Sequence, residues 1–219
     1  MPFSPLRLML FILALTFLIV FVQIGLITVA FDKLGLSEES AYLLLLCTLI
    51  GSLVNLPLFS LKNDGEVPPE MQMPLMQWPF FMQPPVAGKI IVTVNVGGAV
   101  VPVAFSLYLI TNNPLNLLQI TAAVAAVSYI SHMISRPMGI GIGMPMLIAP
   151  IAAALIATLI DPGQRALLAY IGGTLGVLIG ADLLRLNDIR KLGAPFASIG
   201  GAGTFDGIFL TGILAVLLA

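Results

Sequence analysis

Charge is so sparse along this chain, and so unevenly spread, that its apolar stretches set the fold. Residues 8–30, 41–60, 90–135, 137–160, 166–181 and 207–219 carry no Asp, Glu, Lys or Arg. Apolar runs of about 18 residues or more read as membrane-spanning helices, because a helix satisfies every backbone N–H and C=O internally where water is absent. Over the whole chain 59% of residues are hydrophobic and 9% charged, against roughly 25% charged in a soluble domain. A soluble fold of this composition would leave a large greasy surface in water. Lipid is the solvent that fits.

The sequence therefore predicts a single all-α membrane domain over residues 1–219, a polytopic bundle of about seven transmembrane helices. The spans fall at 8–30, 41–60, within 88–110, and at 115–134, 139–160, 165–185 and 205–219. The first follows Arg7 and outruns the apolar region of a signal peptide, so it reads as a retained helix. Asn55 and Pro57 distort the lower end of the second. The third is irregular: Lys89-Ile-Ile-Val-Thr-Val-Asn95 alternates like a strand, and Gly97, Gly98 and Pro102 follow. Irregular backbone at membrane depth must be covered by protein or line a wet cavity, which puts this segment inside the bundle. Residues 61–87 hold Pro68, Pro69, Pro74, Pro79, Pro84 and Pro85 among Met71, Met73, Met76, Trp78, Phe80, Phe81 and Met82. Prolines forbid a regular helix, and Met and aromatic side chains suit the headgroup level, so this is an interfacial connection, either a structural loop or a partner-binding segment. Gly139, Gly141, Gly143 and Pro145 make a flexible lead into the fifth span, a gate or a bend.

Basic residues orient the bundle. With the N-terminus in the cytoplasm, Arg7, Lys62, Lys89, Arg136, Arg185, Arg190 and Lys191 fall inside, and only Lys33 and Arg165 outside. That asymmetry predicts N-in and C-out in the cytoplasmic membrane, with lipid as the surrounding partner. A net charge of −1 and the lack of a basic stripe exclude nucleic acid as a partner. Cys47 is the single cysteine and His132 the single histidine. No intrachain disulfide and no N/S zinc site can be built from them, and neither metal nor cofactor is expected. Oligomeric state is left open.

An ionisable group within a spanning segment is costly and marks a candidate site. Two acids qualify: Asp182 near the inner end of the sixth span and Asp206 at the start of the last. The topology puts both in the cytoplasmic half, on consecutive antiparallel helices. Two carboxyls in a low-dielectric site do not both ionise, so one can hold a proton while the other acts as base towards a water. Glycines surround them. Gly172, Gly173, Gly176 and Gly180 line the sixth span, where they allow close helix packing. Gly200, Gly201, Gly203 and Gly207, with Thr204, surround Asp206 and could present backbone to a substrate. Asn95 is a candidate polar neighbour, or an interhelical hydrogen-bonding residue. His132 reads as a titrating group or a cap at its helix end. The acids have other readings: Asp206 as a helix N-cap, Asp182 paired with Arg136, Arg185 or Arg190, or both binding H⁺ or Na⁺.

Three stretches carry a family likeness: Val94-Asn-Val-Gly-Gly-Ala-Val-Val-Pro102, Gly176-Val-Leu-Ile-Gly-Ala-Asp182-Leu, and Ser198-Ile-Gly-Gly-Ala-Gly-Thr-Phe-Asp-Gly-Ile-Phe-Leu-Thr-Gly212. They resemble the prokaryotic membrane family known as domain of unknown function 1614, over most of residues 88–219. The placing of Asp182 and Asp206 on inward-then-outward helices joined by a cytoplasmic loop is also similar to presenilin-type and signal-peptide-peptidase-type proteases. In those the second acid follows a Gly-x-Gly directly, whereas here Thr204 and Phe205 intervene. The second likeness implies an intramembrane aspartyl protease with catalytic Asp182 and Asp206. Its substrate would be a transmembrane peptide, unwound against Gly201, Gly203, Thr204, Gly207 and Asn95. An ion-coupled transporter using the same acids and a non-catalytic membrane scaffold are the alternatives.

Overall fold

The apolar run that begins at Ala41 is not one helix. In the computed structural model, which describes residues 25–64, 88–138, 141–190, 196–201 and 207–219, helix α1 (Gly25–Lys33) turns through 114° into α2 (Glu38–Gly51). Ser37 caps α2, its hydroxyl accepting from the Ser40 N–H at 3.3 Å, and Glu38 and Glu39 occupy the first turn, where the helix dipole favours acids. The helix stops at Gly51, and strand β1 (Asn55–Lys62) takes over. Pro57 lacks a donor and pushes the residue before it out of the α region, so the predicted span over 41–60 is corrected to a helix followed by a strand. β1 is an edge strand, and its register shifts between Pro57 and Phe59. A bulge on an edge is where a sheet tolerates proline.

The alternation in Lys89–Asn95 is a true strand, β2. It lies between β1, antiparallel, and β5 (Phe196–Ile199), parallel. Ile90 and Val92 are fully buried on one face of it. A second small hairpin pairs β3 (Arg136–Met138) with β4 (Gly141–Gly143) in the lead to the fifth helix. The all-α expectation is therefore corrected to a predominantly helical fold with a small sheet built into one end. Within uniformly apolar sequence, a short buried strand and a buried helix carry the same hydropathy.

After β2 a π-helical turn (Val96–Val100) leads into α3 (Val101–Asn112). Then come α4 (Leu117–Ile134), α5 (Ile148–Ile160) and α6 (Arg165–Val177). A second π turn (Leu178–Asp182), a 3₁₀ turn (Leu183–Arg185) and the short α7 (Leu186–Ile189) extend α6, and α8 (Gly207–Leu218) ends the chain. Two of these units are long and apolar enough by composition to cross a membrane: Leu117–Ile134, and Arg165–Ile189 taken as one. The bent α1–α2 pair is a third if counted as one span. Val96–Asn112, Ile148–Ile160 and Ile208–Leu218 are apolar but shorter.

Contacts give the helix directions. A Cβ on Gly172 would meet Ala123, and one on Gly176 would meet Val127, so α4 and α6 run parallel. Gly173 faces Ala153 and Ala215, while further along α6 Val177 packs with Ala149 and Ile208, so α5 and α8 both run antiparallel to α6. Phe105 of α3 meets Tyr170 edge-on at 5.1 Å. α6 is the axis of the bundle, with most of its residues buried, and its glycines are what let four helices close on it. Gly176→Ala is expected to lower stability by about 1–3 kcal/mol, since its Cβ would sit 2.6 Å from the branched Cβ of Val127. Gly173→Ala, with its nearest contact at 3.4 Å, should leave the thermal midpoint in detergent unchanged or raise it.

Large side chains lie on the outside: Leu43 and Ile50 of α2, Leu118 and Met133 of α4, Leu155 and Leu159 of α5 are all exposed. At one end of the bundle Lys33 donates to the carbonyls of Val216 and Leu217 at 3.2 and 3.3 Å, closing the C-terminus of α8. The sheet lies at the opposite end of α8, since β5 precedes it and Ile199 packs with Ala99 beside the start of α3.

Candidate functional site

Asp182 closes the second π turn, where α6 gives way to tighter coil. π turns occur frequently at functional sites because the extra residue re-aims the side chains around it. The Asp182 carboxylate reaches the loop after β5: its Oδ2 accepts the Gly200 N–H at 2.8 Å. Gly200 and Gly201 both have positive φ, 79° and 84°, which only glycine adopts without strain. Gly200 also fits against the first π turn. A Cβ there would lie 2.6 Å from the Ala99 Cβ, and a Cβ on Gly98 would run into the Gly200 carbonyl oxygen. The two π turns thus meet through one glycine corner.

Asn95 fixes the first π turn. Its Oδ1 accepts the Gly98 N–H at 2.7 Å, and its Nδ2 donates to the Ser52 carbonyl at 2.7 Å and to Asn55 Oδ1 at 3.2 Å. Ser198 of β5 donates to the same Asn55 oxygen at 2.8 Å. Asn95 is 1% exposed, so its amide is committed to the frame that ties α2, β1, β2 and the π turn together. Asn95→Ala would leave a buried Gly98 N–H and a Ser52 carbonyl unpaired. The expected cost is about 1–3 kcal/mol in a thermal or denaturant unfolding assay.

His132 sits in the last turn of α4, and its Nδ1 is 3.2 Å from the Gly180 carbonyl of the π turn, a spacing that fits the Nδ1–H tautomer donating to it. Arg185 donates from Nη2 to the carbonyls of His132 and Ser135 at 2.7 and 2.9 Å, and from Nη1 to Asp188 at 2.9 Å. A guanidinium at the C-terminus of α4 completes orphan carbonyls and meets the negative end of the helix dipole. Arg190 pairs with Asp64 at 3.5 Å. Arg136 lies in β3 and is exposed.

Beside Asp182 runs an open groove of ≈ 460 Å³ with apolar walls, formed among others by Leu58 of β1, Val94 of β2, Val103 of α3, Ile199 of β5, and Leu178 and Leu183, which flank Asp182 in sequence. Gly203, Thr204 and Asp206 lie outside the described residues; Gly207 begins α8. The described residues on either side of Asp206 both come to the Asp182 turn. Gly200 bonds to Asp182 itself, and Ile208 packs in one buried cluster with Val177 and Ala181. Among the described residues no three His, Cys, Asp or Glu side chains gather as a metal site. Sequence reasoning singled out Asp182 but missed its donor, which is a backbone N–H, and missed Asn55, Ser198 and Arg185 as the supporting frame. The paired Gly200-Gly201 was the one visible sign of a corner there.

The fold and site define an apolar, mainly helical protein with an acidic residue at a helix break next to a sheet-lined groove. Residues 49–218 match the family described as Protein of unknown function (DUF1614), and the chain belongs to that family. The match takes in β1, both π turns and the positions of Asp182 and Asp206. No curated protein matches this chain. No solved structure matches it either.

Proposed function

We propose that this chain is an intramembrane aspartyl peptidase in which Asp182 and Asp206 form the catalytic pair. The observation that carries the reading is the convergence on the Asp182 turn of the two chain segments that flank Asp206, through Gly200 and Ile208. In the proposed reaction one carboxylate takes a proton from water as the oxygen attacks the peptide carbonyl carbon. The other, protonated, carboxyl gives its proton to the departing nitrogen as the C–N bond breaks, leaving a carboxyl and an amine. The glycine-rich run with Gly201, Gly203, Thr204 and Gly207 holds the unwound substrate segment, and Asn95 acts on the site through Gly98. On the same proposal the chain makes about seven spans in a prokaryotic cytoplasmic membrane, N-terminus inside; what supports this placing is the alternation in direction of α4, α5, α6 and α8, with Lys62, Lys89 and Arg190 near the sheet end and Lys33 at the far end of α8.

The test is cleavage of a labelled transmembrane peptide by the purified chain in proteoliposomes. Product formation that disappears in both Asp182→Asn and Asp206→Asn is the expected result. Cleavage that survives in either variant, or solute uptake driven by a proton or sodium gradient with no cleavage, would replace this reading with another.

A further inference from the structure

We infer that the end of the β1–β2 pair marked by Lys62 and Lys89 is a binding site for the headgroup of an anionic phospholipid. Lys62 and Lys89 are cross-strand partners at the last position of the register. Like charges directly opposite one another destabilise a sheet unless something of the other sign lies between them. Arg190 is brought to the same place, since its Nε donates to the Lys62 carbonyl at 3.4 Å and the Asp64 N–H donates to the Arg190 carbonyl at 2.9 Å. Among the described residues, the acid that answers these three cations is Asp64. Its two oxygens stand 3.7 Å from Lys62 and 3.5 Å from Arg190, long contacts in an exposed setting, with the Lys62 side chain 76% exposed. Such pairs hold little energy, and among the described residues three cations face one carboxylate here. Arg185 and Asp188 nearby neutralise each other.

What picks out a lipid over a soluble anion is the surface next to this cluster. β1 runs from the cations directly into an exposed apolar strand, with Leu56, Leu58 and Phe59 each about half exposed. A phosphate on Lys62, Lys89 and Arg190 with acyl chains against these side chains satisfies both. Basic residues at a membrane surface each add to attraction for anionic lipid, and Arg and Lys give phosphate oxygens charge-assisted donors. The inference does not depend on the peptidase reading.

The experiment uses the full chain in dodecyl maltoside, with dioleoylphosphatidylglycerol and dioleoylphosphatidylcholine supplied in equal amounts and the retained lipid counted by native mass spectrometry. Phosphatidylglycerol is expected to be retained in preference by about tenfold. The preference should fall towards one in a K62Q/K89Q/R190Q variant and in wild type at high salt, and persist in K62R/K89R. Equal retention of the two lipids by wild type, or a preference that ignores salt, overturns the inference even if the glutamine variant fails to fold. Displacement of phosphatidylglycerol by millimolar inorganic phosphate would make the site one for free anions and overturn the lipid assignment.

Discussion

An Asp182→Asn protein is expected to fold and yet to lose cleavage by at least about a hundredfold, the lower end of what a positioned acid–base group contributes. Asparagine keeps an oxygen where Asp182 Oδ2 stands, so the 2.8 Å hydrogen bond from Gly200 can persist. What it removes is the ability to take or give a proton. Asp182→Ala should behave differently. It removes the acceptor as well, leaves the N–H of buried Gly200 unpaired, and costs about 1–3 kcal/mol of stability in addition to activity. Measuring initial cleavage rate and thermal midpoint on the same two variants separates the roles. If Asp182→Asn cleaves at the wild-type rate, the acid is structural. If Asp182→Asn unfolds along with Asp182→Ala, the interaction that matters is charge within the fold, not proton transfer.

Gly98→Val is the substitution expected to damage the fold most, by about 3 kcal/mol or more. Its Cβ would strike the carbonyl oxygen of Gly200, a backbone atom that cannot rotate aside. Gly200 is itself held in a left-handed conformation and wedged against Ala99, so relief by moving the corner means breaking its bond to Asp182. Loss of stability and loss of the site should therefore come together, read as a lower thermal midpoint and reduced cleavage in the fraction that remains folded. Gly25→Ala is the control: among the described residues nothing lies within 4 Å of that Cβ, and helix propensity favours alanine there. A Gly98→Val protein as stable as wild type would mean that the two π turns do not meet as described.

Much of this arrangement was legible in the sequence, for reasons that differ from element to element. α4 and α6 announce themselves because uncharged runs of their length have few alternatives. β2 was legible because Lys89–Asn95 keeps period two and is rich in β-branched residues. β1 was not. Asn55-Leu-Pro-Leu-Phe-Ser60 sits inside a longer apolar run, and hydropathy cannot distinguish a helix from a strand there; Asn55 and Pro57 are the local signs, and they read equally as a distorted helix end. Asp182 stood out because a charge in an apolar run has to be explained. Its partner did not, since a backbone N–H has no letter in the sequence. Asn95 was noticed for its polarity, but its role depends on Ser52 and Asn55, about 40 residues away, which come to it through the β1–β2 pairing. The sixth-span glycines were readable as packing residues from spacing alone, and they face Ala123, Val127 and Ala153 accordingly.

The π turn at Leu178–Asp182 has a consequence for how this chain can change length. A π turn is an α-helix carrying one residue more than its hydrogen-bond ladder needs. Deleting one residue between Val177 and Asp182 would let the ladder close as ordinary α-helix and swing everything after it by about 100° around the axis. Asp182 would then turn away from Gly200, and Arg185 away from the end of α4. The helix would be more regular and the corner at Gly200 would be empty, so along this stretch the chain is tuned by its residue count as strictly as by the identity of its residues.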